Sequence, residues 1–302
     1  MTQDAPLDLS GVMAPVATAF DPVTGDLDVV AHRANIRKWM EFGLRGVVVA
    51  GSTGEAVLLE ADELALLAES SRELVPEDRL MVVGTGAEST RAAISRTRTA
   101  AEAGADAVLV QPPAYYRGAM TPEVLRAHYE RVADAAPVPV ILYQVPLRFA
   151  TLELSTGLVA ELSEHENIVG IKDSRGDLDL VGSLLEAVRP GFQVLVGDGA
   201  RFYGALEVGA VGGILAVADL APGEAAEIHA AVRAQRGSAA GGIQERIAPV
   251  HTEVVARRGV PGVKAALEML GYQVGPPRSP LPALPEPERD QVQAVLQHAG
   301  LL

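Results

Sequence analysis

An eight-stranded parallel α/β fold, a (β/α)8 or TIM barrel with a C-terminal helical appendage, is what this sequence predicts, and three observations predict it. Eight short apolar runs recur at intervals of roughly thirty residues, each followed by a helical pattern, which is the rhythm of repeated β–α units. A cryptic repeat reuses one joint: Glu41-Phe42-Gly43 before Gly46-Val47-Val48-Val49, Glu102-Ala103-Gly104 before Ala107-Val108-Leu109-Val110, and Glu207-Val208-Gly209 before Gly212-Gly213-Ile214-Leu215. In each, a glycine closes a helix and a strand opens about three residues later. The third observation is negative: the nearest match to a dinucleotide fingerprint, Gly84-Thr85-Gly86-Ala87-Glu88-Ser89, lacks its third glycine, which disfavours a doubly wound sheet.

Taken in order, the strands fall at residues 12–20, 46–50, 80–84, 107–111, 138–145, 168–172, 193–197 and 213–217. They are runs of Val, Ile, Leu and Ala without strict alternation, as expected of strands buried on both faces. After the eighth the pattern turns wholly helical, over 225–236, 242–257, 263–270 and 286–298, with a stiff proline-rich connector from Gly275 to Pro282. The organisation expected is therefore a barrel over 1–222 that carries the active site, then the last barrel helix and a helical region over 223–302.

Composition narrows the function. Hydrophobic residues make up 48% of the 302, ample for a large core, and the formal charge of −14 offers no basic cluster for nucleic acid. Cysteine is absent, which excludes disulfides and thiolate metal sites and agrees with a reducing compartment. Residues Met1 to Pro6 show no basic or apolar leader, and no apolar run reaches spanning length, so a soluble cytoplasmic protein is expected. The histidines lack ligand spacing, and no metal site is expected.

The strand ends then matter, because in such a barrel they converge on one mouth. Of the 25 basic residues only Lys38, Lys172 and Lys264 are lysines, and Lys172 sits at the end of the sixth strand, Ile168-Val169-Gly170-Ile171-Lys172-Asp173. An amine can lose its proton and attack a carbonyl where a guanidinium cannot. A snorkelling lysine, or one salt-bridged to Asp173, stands as the alternative. The second strand ends in Gly51-Ser52-Thr53-Gly54-Glu55. This reads both as a Ser52–Glu55 capping box and as a cradle of hydroxyls and amides for a carboxylate. The fifth ends in Tyr143-Gln144-Val145-Pro146, whose phenol could shuttle protons beside the lysine strand, or simply pack in the core. The fourth leads into Tyr115-Tyr116, and the seventh and eighth into Gly197-Asp198 and Ile214, where glycines leave room for a substrate or merely allow tight packing.

With lysine, tyrosine and hydroxyl loop on strands six, five and two, the chain resembles the dihydrodipicolinate synthase and N-acetylneuraminate lyase family of class I aldolases. The likeness runs from Val12 to the C terminus, on Gly51-Ser-Thr-Gly-Glu55, Tyr143-Gln-Val-Pro146 and Gly170-Ile-Lys-Asp-Ser174. The resemblance implies a lyase that forms an imine between Lys172 and a pyruvate-type 2-oxo acid, with an aldehyde as the other partner. Tyr143 would relay protons, with Thr53 counted beside it in the catalytic set, while Ser52 and Thr53 hold the carboxylate. It implies a homotetramer, a dimer of dimers, in which Tyr115 completes a neighbour's relay. No external cofactor is expected, because the protonated imine is itself the electron sink. Within the family, Glu88-Ser-Thr90, Lys172-Asp-Ser174 and Gly259-Val-Pro-Gly-Val-Lys264 look most like the 4-hydroxy-2-oxoglutarate aldolase branch, by which Ser174 would contact substrate. Arg148 instead matches the arginine with which the synthases hold aspartate semialdehyde, although Leu147-Arg148-Phe149-Ala150 replaces their usual small or polar turn and Gln144 stands where asparagine is common. Substrate contacts are thus expected from Ser52, Thr53, Arg148, Ser174, Gly197, Asp198 and Ile214. A non-catalytic sensor of oxo acids or sugar acids is the reading from another class.

Overall fold

The computed structural model describes residues 7–150 and 152–302, so the N-terminal stretch read for a leader lies outside the described residues. Eight parallel strands close on themselves in chain order: β1 (Gly11–Ala14), β2 (Gly46–Val49), β3 (Leu80–Gly84), β4 (Ala107–Val110), β5 (Val140–Gln144), β6 (Ile168–Asp173), β7 (Gln193–Val196) and β8 (Gly212–Ile214). All eight expected strands form, but the first and last are shorter than their apolar runs. Pro15, which has no amide for the ladder, ends β1, and beyond β8 the chain turns into the one-turn helix α8 (Val217–Leu220).

The continuous apolar runs are explained by two cores. Val47 and Val49 join the layer between strands and helices, whereas Val48 joins Met13, Val82, Leu109, Ile141, Leu195 and Ile214 inside the barrel. The numbering of helices follows the repeat: α1 (Val29–Met40), α2 (Ala61–Arg72), α3 (Thr90–Glu102), α4 (Pro122–Ala135), α5 (Thr156–Ser163), α6 (Leu178–Ala187), α7 (Phe202–Val208) and α9 (Pro222–Arg233). Their starts are written in the sequence. The side chains of Asp28, Ser89, Thr121, Ser155 and Asp177 each accept an amide of the first turn they precede.

One irregularity sets the register of the site. Val140 pairs with Ile168 but Ile141 pairs with Gly170, so Val169 is an extra residue in β6. Without this bulge Tyr143 would pair with Ile171; with it, Tyr143 pairs with Lys172 and both point inward.

The tail contains α10 (Gly237–Pro249), a π-helical turn (Val250–Ala256), α11 (Arg257–Met269) and α12 (Glu286–His298). The single helix expected over 242–257 is therefore broken. Pro249 cannot donate to the preceding turn, and the helix widens immediately after it. A second break follows at Gly259, with φ 60° and ψ −148° inside α11, so the helix expected over 263–270 begins earlier than its periodicity suggested. Among the described residues no helix is long and apolar enough to cross a membrane.

Candidate active site

Lys172 is 5% exposed, and its Nζ lies 4.4 Å from the centre of the Tyr143 ring. The alternative of a Lys172–Asp173 salt bridge fails on strand geometry, because consecutive residues point to opposite faces. Asp173 faces away and is clasped by Arg175, whose Nε donates to it at 3.0 Å. The Tyr143 hydroxyl, on the neighbouring strand, is 3.3 Å from Ser52 Oγ. Lysine, phenol and alcohol thus form one inward-facing group at the C-terminal rim.

The loop after β2 carries Ser52 and Thr53 into the same chamber. Its internal bonds run from Glu55 N–H to Ser52 O and from Ala56 N–H to Gly51 O, each 3.2 Å, and do not use the amides of Ser52 and Thr53. The expected Ser52–Glu55 capping box is not formed. Glu55 takes a left-handed conformation (φ 60°) and turns its carboxylate into the protein, 2.7 Å from Lys264 Nζ, where it also accepts the Arg278 amide at 2.8 Å. The capping box lies a turn later, between Glu60 and Glu63. Burial pushes the Lys264 amine below the ordinary lysine range, and the Glu55 charge opposes that push. An uncommon backbone state in the loop is thus held by a buried ion pair.

Gln144, buried at the end of β5, organises the loop that follows: its amide oxygen accepts Leu154 N–H at 2.6 Å and its nitrogen donates to Val145 O and Leu152 O. Arg148 on this loop lines the chamber, its guanidinium stacked 4.6 Å from the ring of half-exposed Phe149. Tyr115 is not in the chamber of its own chain. It is 80% exposed, packed edge-on against Tyr116, in a loop pinned by Glu88, which accepts the amides of Ala114 and Tyr115.

Ser174, Gly197, Asp198 and Ile214 complete the chamber from β6, β7 and β8, around about 580 Å³ that is partly open to solvent. Gly197 is closely packed there: a Cβ on it would overlap Ser174 Oγ and lie 3.0 Å from Lys172 Cε. Sequence reasoning missed the remaining wall. His251, Val255, Gly259, Val260 and Val263 line the chamber from the tail, beyond the 222 residues expected to carry the site. The available signal was Pro249, which widens the helix just before His251. Burial raises the Asp198 carboxyl, but His251 and the amides of Ala200 and Arg201 outweigh it and hold it below the usual range. Behind the chamber, Asp219 of α8 is fully buried with neither carboxylate oxygen hydrogen-bonded among the described residues. Burial drives its pKa well above the usual range against the pull of Lys172. Among the described residues no cluster of three acidic or histidine side chains is arranged to hold a metal.

A buried amine, a phenol linked to an alcohol, and a carboxylate cradle in one chamber suit carbonyl chemistry through an imine. The model of the dihydrodipicolinate synthetase family matches residues 8–299. A 4-hydroxy-tetrahydrodipicolinate synthase from an Exiguobacterium species is 33% identical over 272 residues, covering 90% of this chain and 92% of the relative. A protein named as an uncharacterized DapA-like lyase from Halobacterium salinarum is 35% identical, covering 98% and 96%. Among solved structures, the chloride-inhibited dihydrodipicolinate synthase from Acinetobacter baumannii complexed with pyruvate superposes with a TM-score of 0.93 at 31% identity, over 98% of this chain and 100% of that one. YagE, a prophage protein of the same family from E. coli K12, also in complex with pyruvate, gives 0.92 at 28% over the same shares. The synthase names among these relatives do not support the likeness to the 4-hydroxy-2-oxoglutarate aldolase branch.

Proposed function

The chain belongs to the dihydrodipicolinate synthetase family, and from that membership we propose that it is a Schiff-base lyase that condenses pyruvate with aspartate semialdehyde. The observation that carries this reading is the placement of Lys172, buried in the chamber and in register with Tyr143. In the proposed reaction the Lys172 amine adds to the ketone of pyruvate, and loss of water leaves a protonated imine. Removal of a methyl proton gives an enamine, whose carbon attacks the aldehyde. Tyr143, joined to Ser52, carries protons to and from the carbinolamine oxygen. Ser52 and Thr53, with their amides, hold the pyruvate carboxylate at a turn whose own bonds leave those amides over. Arg148 takes the carboxylate of the semialdehyde at the outer edge, as a guanidinium fork suits.

Tyr115, exposed on its own chain, enters the chamber of a neighbouring subunit in a tetramer. A second reading, cleavage of a 4-hydroxy-2-oxo acid to a 2-oxo acid and an aldehyde, is favoured by Ser174, whose hydroxyl faces the chamber close to the Lys172 side chain. Incubation with pyruvate and borohydride, followed by peptide mass spectrometry, tests the shared chemistry. A reduced adduct is expected on Lys172 and none in Lys172→Ala. Absence of the adduct in the wild type refutes the imine and leaves a non-catalytic sensor. Consumption of aspartate semialdehyde with pyruvate, set against release of pyruvate from 4-hydroxy-2-oxoglutarate, decides between the two reactions.

A further inference from the structure

The loop that carries Ser52 and Thr53 is bracketed by two residues in an uncommon backbone state. Ala50 (φ 51°) and Glu55 (φ 60°) are both left-handed without being glycine, a conformation that persists only where the surroundings impose it. At the first, the Ala50 carbonyl lies so close over β3 that a Cβ on Gly84 would overlap its oxygen. Between the two, Thr18 Oγ1 donates to Gly54 O at 2.7 Å. The second is held from the far end of the sequence. Lys264 of α11 is fully buried, and its Nζ lies 2.7 Å from Glu55 Oε1, donates to Pro276 O at 2.9 Å and sits 4.3 Å from the centre of the Phe20 ring. Glu55 Oε2 accepts the Arg278 amide, while the Arg278 guanidinium is taken up by Glu63 of α2, at 2.6 Å. Among the described residues, Lys264 is the only cation paired with the Glu55 carboxylate.

We propose that Lys264 is a positioning residue for the 2-oxo acid: by pairing with Glu55 it fixes the left-handed turn that presents the Ser52 and Thr53 amides to the substrate carboxylate. This rests on the reading that those amides hold a 2-oxo acid bound to Lys172, and it adds the C-terminal tail to the parts that set affinity for that acid. Two physical effects run together. Without the ammonium, Glu55 is an unpaired charge in the interior and turns toward the solvent-open cleft that it already lines beside Ala56 and Val57. Turning it out releases the left-handed state, and with it the bond from the Glu55 amide to Ser52 O that closes the turn. A carboxylate without its counter-charge also repels the anion that the neighbouring amides are placed to receive. Lys172 and Tyr143 keep their places on β6 and β5, so the loss falls on the pyruvate concentration required and not on the limiting rate.

Borohydride trapping on Lys172, followed across a series of pyruvate concentrations in the full chain, tests this. Lys264→Met is expected to raise the half-saturating concentration by about tenfold or more, with the limiting rate held within about threefold. Adding Glu55→Gln, which removes the orphaned charge and keeps the shape, should return half-saturation to within about threefold of the wild type. A second comparison separates backbone from charge, and serves where Lys264→Met alone does not fold. In the Lys264→Met background, Glu55→Gly adopts the left-handed turn freely and should half-saturate within about threefold of the wild type. Glu55→Val, β-branched and averse to that state, should need about tenfold more pyruvate than Glu55→Gly. A pair with a merely structural role would lower stability without separating these two in half-saturation. Equal half-saturation of Glu55→Gly and Glu55→Val, or a folded Lys264→Met chain within about twofold of the wild type, overturns this inference alone. A wild-type chain that traps no pyruvate overturns the imine reading, and this inference with it.

Discussion

Gly197→Ala probes how tightly the chamber is built around its amine. Gly197 ends β7 in an unstrained conformation, and its amide donates to Asp173 O at 2.7 Å, so the backbone itself tolerates alanine. The obstacle is steric. The new Cβ would overlap Ser174 Oγ and sit 2.8 Å from Ser174 Cβ and 3.0 Å from Lys172 Cε. Ser174 must swing aside, and the lysine side chain must shift by several tenths of an ångström. Overpacking of this kind costs about 1–3 kcal/mol of stability. Displacement of a reacting group by a fraction of an ångström costs activity more steeply, here about 10- to 100-fold in the rate of pyruvate trapping by borohydride. Denaturant unfolding measures the first quantity and stopped-time mass spectrometry the second. Ser174→Gly in the same chain removes two of the three contacts and should return most of the stability. Gly242→Ala, where no heavy atom lies within 4 Å of the added Cβ, is the control and should be neutral or slightly stabilising. Trapping at the wild-type rate in Gly197→Ala would refute the close packing argued for Lys172.

Two further outcomes concern the frame. Lys264→Met removes the partner of Glu55 and leaves a carboxylate buried behind the Ser52 loop, so a loss of about 3–5 kcal/mol is expected in urea unfolding, largely recovered by adding Glu55→Gln; a loss below about 1 kcal/mol would show that the pair holds nothing. Burial lowers the pKa of His32 from 6.5 to about 4, so between those values the unfolded chain binds a proton that the folded chain refuses. Stability should therefore fall on acidification through that window, by up to about 3 kcal/mol, and His32→Gln should flatten the slope; an unchanged slope would refute the assignment.

The barrel was legible because its signal repeats. Eight apolar runs and a recurring Glu-x-Gly joint needed no knowledge of packing, and the same count placed Lys172, Tyr143 and Ser52 at strand ends. Glu55 misled because Ser-x-x-Glu is a local pattern, whereas its true partners, Lys264 and Arg278, are distant in sequence and meet it only after the tail folds back. His251 was invisible for a related reason. A histidine inside a helical pattern carries no mark of which face it presents, and the widening that aims it depends on a proline two residues earlier. Tyr115 stood out by composition, yet within one chain its ring packs on Tyr116 and its amide donates to Glu88, outside the chamber.

The extra residue in β6 makes the identity of the inward face a matter of parity. Were Val169 drawn into regular pairing with Ile141, every chamber residue would still be in the chain, yet Lys172 would rotate out among the helices and Asp173, with its bound arginine, would turn toward the interior. Such a slip of register would abolish the reactive centre without altering one of its members. Whether the residue between Ile168 and Gly170 bulges or pairs therefore bears on whether a related chain can react at all, even when its motif is intact.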